Sequence, residues 1–461
     1  MIVQSKNKQV MIKEQDPKER IGNFNEVVLG YSTEEAKEEA SRCLSCPTQP
    51  CVNDCPVNID IPKFIKEIVN DNIDKAYNII HRNNSFPGVC GRVCPQEKQC
   101  QMNCLRGIKG EPISIGNLER FVADNYVSQD KNTTKKFEGK VAIIGSGPAG
   151  LACAGYLLDR GIEVTIFEAL HALGGVMRYG IPEFRLPKDI LDNEINVLVE
   201  KGLIIEKNTI VGLTIDINEL FNDGFSAIFL GLGAGSPRLL NIPGEHGNGV
   251  YSANEFLTRV NLMKAYKENS DTPLYVGEKI LVIGGGNVAL DAARAAKRLT
   301  DGEVTVVYRR RFEDMPARQV ELHHSLEEGI KVMTQLKPIE ITLDDNWVKS
   351  LVCKKMVQTG EIDKTNRPVF IEDKEEKETI VADTIIVAIG QTPNPIIKKI
   401  SKDLKFSKWN TVIVDDKLET SIKNVFAGGD IITGASTVIS AISAGKKAAE
   451  SIFQKIANKG R

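Results

Sequence analysis

The sequence lacks any apolar run long enough to cross a bilayer, has almost no net charge, and holds only two tryptophans among 461 residues. Without such a run we expect no membrane-spanning helix. A formal net charge of −2 gives no electrostatic reason to expect nucleic acid or an anionic membrane as a partner. The N-terminal segment shows no apolar signal region, so we expect a cytoplasmic protein, and the length predicts two or three domains.

Cysteine is scarce outside one short block. Cys153 and Cys353 stand alone, and an isolated cysteine is typically a small buried apolar side chain, so neither predicts a redox disulfide. The other eight of the ten cysteines form two quartets, namely Cys43, Cys46, Cys51 and Cys55, then Cys90, Cys94, Cys100 and Cys104. Because structural disulfides are rare in the cytoplasm, this density predicts metal ligands.

The spacing within the quartets bears on which metal they bind. Zinc ribbons usually pair two Cys-x2-Cys knuckles about 15–20 residues apart. The first quartet is instead compact and ends in Cys55-Pro56, which is closer to the iron–sulfur pattern. We therefore expect iron–sulfur clusters, and the alternative is a structural zinc module in a scaffold protein.

A first dinucleotide-binding fingerprint stands between a predicted strand at 141–144 and a predicted helix at 151–158. It reads Gly145-Ser-Gly147-Pro148-Ala149-Gly150, and its glycines permit a tight turn, close approach to a pyrophosphate and close helix–strand packing. Free N–H groups at the start of the helix favour the pyrophosphate. Glu168, at the end of the next predicted strand, is placed to accept hydrogen bonds from ribose hydroxyls.

Further residues indicate FAD in this first site. Asp430 follows a predicted strand and could bind a ribityl chain, while Thr437 starts a helix that could face the isoalloxazine. No Cys-x4-Cys pair accompanies them, so electrons are not expected to leave a flavin through a disulfide. The order of the motifs resembles the flavoprotein disulfide reductase fold, in which a nicotinamide domain is inserted into an FAD domain. The candidate FAD ligands beyond the fingerprint are Gly175, Arg178, Gly429, Asp430 and Thr437.

A second fingerprint, Gly284-x-Gly286-x-x-Ala289, repeats the strand–turn–helix logic. Where the first unit has Glu168, this unit has Tyr308 followed by three arginines. An acid there would repel a 2′-phosphate, whereas arginines bind it with charge-assisted bonds, so we expect NADP(H) in preference to NAD(H). The candidate residues of this site are Gly284, Gly286, Asn287, Val288, Asp291, Arg309 and Arg310, with Gly390 in the phrase that closes the unit.

The chain divides into an N-terminal helical segment and two α/β units. An amphipathic helix is expected over Ile61–Ile80 and a polar linker over 128–136. His323 and His324, without an obvious partner in the sequence, are expected at the surface. The expected fold class is α/β, with a helical iron–sulfur domain at 1–135, an FAD domain at 136–255 and 391–461, and an NADPH domain inserted at 256–390.

Several motifs, in order and at compatible spacings, resemble a known family over essentially the whole chain. They are Cys43–Cys46, Cys51–Pro56, Cys90–Pro95, Glu111–Gly116, Gly145–Gly150, Gly174–Pro182, Gly284–Val288, Tyr308–Arg311 and Met315–Ala317. The sequence resembles the glutamate synthase small (β) subunit family. That family includes the large subunit of NADH-dependent ferredoxin:NADP oxidoreductase and the N-terminal part of dihydropyrimidine dehydrogenase. The resemblance implies a helical domain with two 4Fe–4S clusters, followed by FAD and NADPH domains.

The resemblance also implies how the two clusters are held. Glu119, on the helix after the second quartet, would complete the cluster bound by the first three cysteines, Cys43, Cys46 and Cys51. The second cluster would use Cys55, Cys94, Cys100 and Cys104. Cys90 would then lie near the site without a bond, whereas simple spacing gives Cys90 a ligand role. Both Cys90 and Glu119 therefore stay candidate ligands.

The expected chemistry is hydride exchange between NADPH and FAD, followed by single-electron transfer through the clusters to an acceptor outside the chain. The hydride step requires no acid–base residue, so no catalytic side chain is assigned. The start Met1-Ile-Val lacks the N-terminal cysteine of an amidotransferase, so this chain alone is not expected to make glutamate.

The resemblance therefore implies a partner protein. The candidates are a glutamate synthase large subunit and the small flavin and 2Fe–2S subunit of a flavin-bifurcating NADH-dependent ferredoxin:NADP oxidoreductase, with ferredoxin as a further acceptor. Electron flow could reverse in the second case. A stand-alone diaphorase, or a sulfide or polysulfide oxidoreductase, is the remaining alternative and would need no partner.

Overall fold

The structure is a computed structural model that describes residues 7–126, 139–363 and 367–459. The linker expected at 128–136 lies outside the described residues. Within the described ranges, a helical N-terminal unit precedes two parallel five-stranded sheets, and a three-stranded antiparallel sheet is inserted before the last strand of the second parallel sheet. None of the helices in these ranges combines the length and the apolar character needed to cross a membrane.

Short helices make up the N-terminal unit, and proline at the first turn starts several of them, where its missing N–H is not needed. The helix expected over Ile61–Ile80 is in fact two helices, because Asp71 adopts a left-handed φ of 60° between them. The helices are Pro17–Arg20, Thr33–Ser41, Pro50–Asn53, Ile61–Val69, Ile73–His81, Pro87–Val93 and Ile115–Asn125, with 3₁₀ turns Gln96–Lys98 and Leu105–Ile108 and the antiparallel strands Lys13–Glu14 and Val28–Gly30.

The first parallel sheet has the strand of the first fingerprint at its centre. In spatial order its strands are Val425–Ala427, Phe225–Leu230, Lys140–Ile144, Glu163–Glu168 and Ile204–Lys207. The central strand is apolar on both faces and almost wholly buried, as is typical of a parallel sheet covered by helices. The helices that surround it are Pro148–Leu158, Lys188–Glu200, Ile217–Asn222 and Val438–Lys459, with the short turns Val176–Tyr179 and Asp430–Thr433.

The second parallel sheet lies between the fourth and fifth strands of the first sheet in chain order. Its strands, in spatial order, are Lys331–Thr334, Glu303–Tyr308, Lys279–Ile283, Thr384–Val387 and Val250–Ser252. Its helical elements are Ala253–Leu257, Thr258–Leu262, Asn287–Lys297, Phe312–Asp314 and Gln319–Glu327. The expected α/β class, with one Rossmann-like unit inserted in the other, is confirmed. The segment boundaries 135/136, 255/256 and 390/391 stay predictions.

The antiparallel sheet was not expected from the sequence. Its first hairpin turns at Asp345 and Asn346, which both have left-handed φ values, of 47° and 63°. Its strands are Leu336–Asp344, Trp347–Ile362 and Pro368–Val381. A two-stranded antiparallel pair, Ser236–Pro237 with Gln391–Thr392, joins the two passages of the chain between the parallel sheets, and the short helix Ile397–Ile400 follows.

Buried ion pairs tie the N-terminal unit to the second α/β unit. Arg20 is 1% exposed, and its Nε donates to Glu328 Oε1 at 2.9 Å. Arg294 and Arg298 contact the same carboxylate at 2.7 and 2.8 Å. Because a buried charge without partners is costly, these residues hold one another and so fix the two units against each other.

His324 lies in this same interface and corrects a prediction. It is 2% exposed, and its Nε2 is 2.9 Å from Glu14 Oε2 of the strand Lys13–Glu14. The helix Gln319–Glu327 turns His324 inward against a strand about 310 positions earlier in the chain, which is a partner that local sequence cannot reveal. His323 is exposed, as expected, and lies 3.1 Å from Glu327.

Candidate functional site

The first glycine loop has the shape that the fingerprint predicts. Gly145 has a φ of 97°, and a Cβ at Gly150 would lie 2.0 Å from the carbonyl oxygen of Gly145, so a side chain is excluded there. At Gly147 the nearest atom to such a Cβ is 3.9 Å away, which leaves open space in front of the loop. Gly147 caps the helix Pro148–Leu158, so the free N–H groups of the first turn, at Ala149 and Gly150, begin at this space.

Glu168 is fixed at the end of its strand beside the loop. Its carboxylate accepts hydrogen bonds from the backbone N–H of Ser146 and of Leu170, both at 2.9 Å, and from the Ser146 hydroxyl. The residue is buried, so its orientation is set by these donors. This geometry fits the role of ribose acceptor that the sequence predicts, and the role itself stays a prediction.

The C-terminal segment meets the first loop directly. A Cβ at Gly429 would lie 3.0 Å from Ala149 Cβ, and one at Gly445 would lie 2.1 Å from the Ala149 carbonyl oxygen. Asp430 follows Gly429 and accepts from the backbone N–H of Ser436 at 3.2 Å. Burial raises the pKa of Asp430 to about 6. The structure thus brings together two candidate segments that lie about 280 residues apart in the sequence.

Three further residues sit around this site with different surroundings. Thr437 caps the helix Val438–Lys459, since its Oγ1 accepts from Ser440 N at 3.2 Å. Gly175 packs on the loop, where a Cβ would lie 2.8 Å from Gly147 Cα. Arg178 is already engaged by the Asp192 carboxylate and the Leu173 carbonyl. A direct contact between Arg178 and a cofactor therefore stays a prediction without structural support.

Tyr179 is a residue of this site that the sequence reasoning missed. Burial raises the pKa of its phenol to about 12, and Glu168 and Asp430 are the charged groups that act on it. A Cβ at Gly235 would lie 3.6 Å from its hydroxyl. Tyr179 therefore faces both candidate cofactor-binding carboxylates. The only signal in the sequence was its place in the Gly174–Pro182 motif.

The second glycine loop repeats the first. Gly284 has a φ of 142°, and a Cβ there would lie 2.4 Å from the Ala388 carbonyl oxygen. A Cβ at Gly286 would meet nothing within 4 Å, so open space again faces the start of a helix, here Asn287–Lys297. Val288, in the first turn, is partly exposed. The loop can receive a pyrophosphate for the same reasons as the first.

Asp291 does not face this loop. It is buried, and both of its carboxylate oxygens lie 2.7 Å from Arg185 Nη1. Arg185 comes from the first α/β unit, so Asp291 serves as an ion-pair partner between units. Its assignment as a cofactor ligand therefore finds no support in the geometry.

The arginines after Tyr308 remain near the strand end. Arg309 is exposed, and Arg310 is half-buried, with its Nη2 at 3.7 Å from Asp363 Oδ2. Arg311 is paired with Asp314 at 3.0 Å. Gly390 has a φ of 112°, and its carbonyl accepts from Arg238 N at 3.0 Å in the pair that joins the two units. These positions fit the predicted 2′-phosphate site, which stays a prediction.

The cysteines line two separate cavities in the N-terminal unit. We call outer cavity the one lined by the four thiols of Cys43, Cys46, Cys51 and Cys104. We call inner cavity the one lined by the thiols of Cys55, Cys94 and Cys100 and the carboxyl of Glu119. Ile61 and Ile115 line both cavities and therefore form a shared wall.

This grouping differs from the ligand sets that the resemblance implied, and the ligand sets themselves stay predictions. Glu119 lies with Cys55 in the inner cavity, and Cys104 lies with the first three cysteines in the outer one. The physical reason is local: the 3₁₀ turn after Cys104 is held against the first quartet, because Arg106 Nε donates to the Arg42 carbonyl at 2.7 Å. The helix Ile115–Asn125 then carries Glu119 to the second quartet.

Cys90 lines neither cavity. It is fully buried, 3.7 Å from Asn84 Oδ1. The adjacent Cys94 side chain and burial raise its pKa well above the ordinary value. Cys90 is thus a buried neighbour of the inner cavity, and its role as a ligand stays a prediction.

Each cavity presents four metal-ligand groups in apolar surroundings, and the donor sets fit iron–sulfur clusters. Burial raises the pKa of Cys51 to about 12, that of Cys55 to about 11 and that of Glu119 to about 8. Ligands must be deprotonated, so a bound cation is what would hold these groups in their charged forms. Asn84 Nδ2 donates to Glu119 Oε1 at 2.8 Å and orients the carboxyl.

Glu194, from the first α/β unit, was also missed by the sequence reasoning. Its carboxylate accepts from the backbone N–H of Gly88 at 2.6 Å and of Val89 at 3.3 Å, at the start of the helix Pro87–Val93. Burial raises its pKa to about 8. Glu194 therefore links the first α/β unit to the helix Pro87–Val93, which Cys94 follows directly.

Two sequence families match the chain in succession. Residues 20–131 match the family described as dihydropyrimidine dehydrogenase domain II, 4Fe-4S cluster. Residues 139–445 match the family described as pyridine nucleotide-disulphide oxidoreductase. Together with the two glycine loops and the two cysteine cavities, these matches define the class: a pyridine-nucleotide-dependent oxidoreductase with an iron–sulfur domain.

Sequence comparison with individual proteins identifies the family of the chain within this class. The glutamate synthase [NADPH] small chain of Escherichia coli K12 is 33% identical over 443 residues, 93% of this chain and 93% of its own. The chain belongs to the glutamate synthase small-chain family, which confirms the resemblance seen in its motifs. The NADP(+)-dependent formate dehydrogenase subunit beta of Moorella thermoacetica is 36% identical over 437 residues, 88% of this chain and 60% of its own.

A solved structure shares the two-sheet fold. Mycobacterium tuberculosis FprA in complex with NADPH aligns over 70% of this chain and 85% of its own, with a TM-score of 0.59 and 20% identity. This likeness covers the fold alone. The expectations of an oxidoreductase and of an N-terminal iron–sulfur domain before Rossmann-like units are confirmed.

Proposed function

We propose that the protein is the electron-input subunit of a larger enzyme, taking a hydride from NADPH and passing single electrons to a partner. The observation that carries this proposal is the inner cavity, which Ile439 lines from the C-terminal helix that packs on the first glycine loop. Bound FAD would supply the conversion of a hydride into two single electrons, and bound 4Fe–4S clusters would carry electrons one at a time. The chain's own residues supply binding, orientation and exclusion of water.

The residues that would hold FAD are those gathered at the first loop. Gly147 leaves room for the pyrophosphate at the helix start, Glu168 is oriented toward the ribose position, and Asp430 is a part-buried acceptor for the ribityl chain. NADPH would lie at the open space before Gly286, with Arg309 and Arg310 as 2′-phosphate ligands. No side chain is needed to move a proton in this step.

The two cavities lie one after the other on a route from the first α/β unit, which would hold FAD, toward the surface. Ile439, in the first turn of the helix Val438–Lys459, lines the inner cavity. The inner and outer cavities share the wall of Ile61 and Ile115. Leu44 and Leu105 line the outer cavity and are 52% and 38% exposed, so this cavity is the one next to solvent. The order supported is flavin site, inner cavity, outer cavity, surface.

A second subunit is the acceptor that this order supports. The relatives named above are a glutamate synthase small chain and a formate dehydrogenase subunit, and both names describe parts of larger enzymes. We favour a glutamate synthase large subunit as partner, because the match to the small chain extends over 93% of both proteins. The ferredoxin-linked enzyme of the flavin-bifurcating kind stays the second candidate, on the strength of the shared motifs.

Anaerobic purification with metal and flavin analysis tests the proposal. We expect FAD, about eight iron atoms for two 4Fe–4S clusters, and a broad visible absorption that bleaches on adding NADPH. Reduction of a co-purified subunit should outpace reduction of small acceptors by the isolated chain. A zinc-loaded protein without flavin would contradict the proposal, and rapid turnover with polysulfide or dyes alone would favour the stand-alone alternative.

A further inference from the structure

Residues 315–318 of the second α/β unit bridge the second glycine loop and the N-terminal unit. On the loop side, Ala317 N donates to the Gly285 carbonyl at 3.3 Å, and Arg318 N donates to Asn287 Oδ1 at 2.9 Å. On the other side, the segment contacts the residues that surround the inner cavity. Arg318 therefore contacts the second glycine loop through its backbone and the surroundings of the inner cavity through its side chain.

The side chain of Arg318 makes the main contacts on the cavity side. Its Nη2 donates to Gln96 Oε1 at 2.7 Å, and its Nη1 donates to the Arg92 carbonyl at 3.1 Å. Its Nε lies 3.5 Å from the carboxylate of Glu97. The side chain is only 12% exposed, and two of its three nitrogens meet neutral oxygens. The carboxylates that act on this cation are Glu97, at 3.5 Å from Nε, and Glu321, whose pKa the charge of Arg318 helps to lower.

Gln96 carries this contact into the inner cavity. It is buried and lines that cavity beside Cys94 and Cys100. Its Nε2 donates to the Gly91 carbonyl at 3.1 Å, in the helix that leads to Cys94. A Cβ at Gly116 would lie 2.2 Å from the same Nε2, so Gln96 also packs against the helix that bears Glu119. One amide side chain thus separates the Arg318 cation from the cavity.

We propose that Arg318 is a positioning residue that raises the reduction potential of the inner cluster. The inference rests on the proposed function, since it requires a cluster in the inner cavity. One-electron reduction adds a negative charge to a cluster, and a nearby cation in a poorly solvated interior stabilises that charge. Arg318 also holds Gln96 between two ligand-bearing helices. Because the cation comes from the second α/β unit, that unit takes part in setting the potential of a cluster held by the N-terminal unit.

Redox titration of the holoprotein, followed by electron paramagnetic resonance, tests this role. Arg318→Gln should lower one of the two cluster potentials, so that the ratio of reduced to oxidised cluster at a fixed potential falls by about tenfold, or about 59 mV. The other potential should not move. Arg318→Lys keeps the charge and should retain most of the potential, whereas Glu97→Gln removes the opposing carboxylate and should raise it.

Arg259→Gln is the matched control, because Arg259 is a half-buried arginine of the same unit that is paired with Glu255 at 2.7 Å and lines neither cavity. It should change neither potential. Iron and flavin are measured on every sample, so a wild-type protein without iron defeats the proposed function and not the role of Arg318. Full iron content with both potentials unchanged in Arg318→Gln overturns the proposal, as does an equal fall in Arg318→Gln and Arg318→Lys. Should Arg318→Gln not fold, an unchanged potential in Glu97→Gln overturns it.

Discussion

Glu119 and Glu168 are both buried carboxyl groups, yet their neighbours prepare them for different tasks. Glu168 accepts two backbone N–H groups and a hydroxyl, which hold it at the end of its strand. Among the residues that the structure describes, Glu119 accepts a hydrogen bond from the Asn84 amide alone, and burial raises its pKa to about 8. Without a cation it is mostly protonated near neutral pH, so its charge depends on what binds beside the three inner thiols.

The role of Glu119 can be measured against that of Cys90. Glu119→Ala should lower the iron content by about half, because the inner cavity loses its fourth ligand while the outer cavity keeps four thiols. Cys90→Ala should leave the iron content unchanged, since Cys90 lines neither cavity. Iron per protein, determined by mass spectrometry after anaerobic purification, separates the two. Equal iron loss in both variants would return Cys90 to the ligand set.

A second prediction at the residue scale concerns Arg309 and Arg310, the candidate ligands of the 2′-phosphate. Replacing both with alanine removes charge-assisted bonds to a 2′-phosphate, each worth about 1.5–3 kcal/mol, so NADPH affinity should fall by tenfold or more. NADH lacks that phosphate and should lose little. Titration calorimetry with NADPH, NADH and 2′,5′-ADP gives the comparison. The assignment is lost if both dinucleotides weaken by the same factor.

At the level of secondary structure, the helix Val438–Lys459 packs on the helix Pro148–Leu158, which starts at the first glycine loop. This packing shapes the candidate FAD site. Gly445 permits this contact, because a side chain there would reach within 2.1 Å of the Ala149 carbonyl oxygen. Ala149 itself belongs to the first glycine loop. The C-terminal helix therefore places Gly429 and Asp430 against the loop through a contact between two backbones.

Gly445→Ala should push the two helices apart. We expect a loss of about 1–3 kcal/mol in the free energy of unfolding, despite the better helix propensity of alanine, and a lower flavin content. Lys447→Ala, at an exposed position of the same helix, is the control and should stay within about 0.5 kcal/mol of wild type. Denaturant titration and the flavin-to-protein ratio report both effects. Unchanged stability in Gly445→Ala would contradict the prediction that the close contact between the two helices stabilises the fold.

Particular residues show which secondary-structure elements could be predicted from the sequence and which could not. Both glycine loops could be predicted because Gly145 and Gly284 each follow a run of β-branched residues and precede a helix. The break at Asp71 could not, because apolar periodicity continues through it. The antiparallel sheet was missed as well, since its long strands carry many charged residues and give little alternation.

For the candidate site as well, one part could be predicted from the sequence and another part could not. Local motifs predicted which cysteines are ligand-like, but the pairing of Cys104 with the first quartet depends on how distant segments pack. His324 was wrongly placed at the surface, because its partner Glu14 lies far away in the chain. The ion pair of Asp291 with Arg185 could not be predicted for the same reason. Tertiary contacts between motifs are what the sequence of a single protein does not display.

Across the whole molecule, buried ion pairs at Arg20 join the N-terminal unit to the second α/β unit. Arg20→Ala should cost about 3–5 kcal/mol, because Glu328 would lose one of its buried cationic partners. Lys18→Ala, exposed in the same short helix, should cost less than about 0.5 kcal/mol. Calorimetry is expected to show one cooperative transition in wild type and a broadened or split one in Arg20→Ala. A single sharp transition with unchanged stability would contradict the coupling.

The interleaving of the two cysteine quartets sets an order on biosynthesis. Neither cavity can be completed from one quartet: the outer cavity needs Cys104, and the inner cavity needs Cys94, Cys100 and Glu119 as well as Cys55. A ribosome must therefore release the chain through Cys104 before the outer site has its four candidate ligands, and through Glu119 before the inner site has them. Until then the first four thiols belong to no complete site, so neither proposed cluster can reach its final set of ligands while only the first quartet has been made.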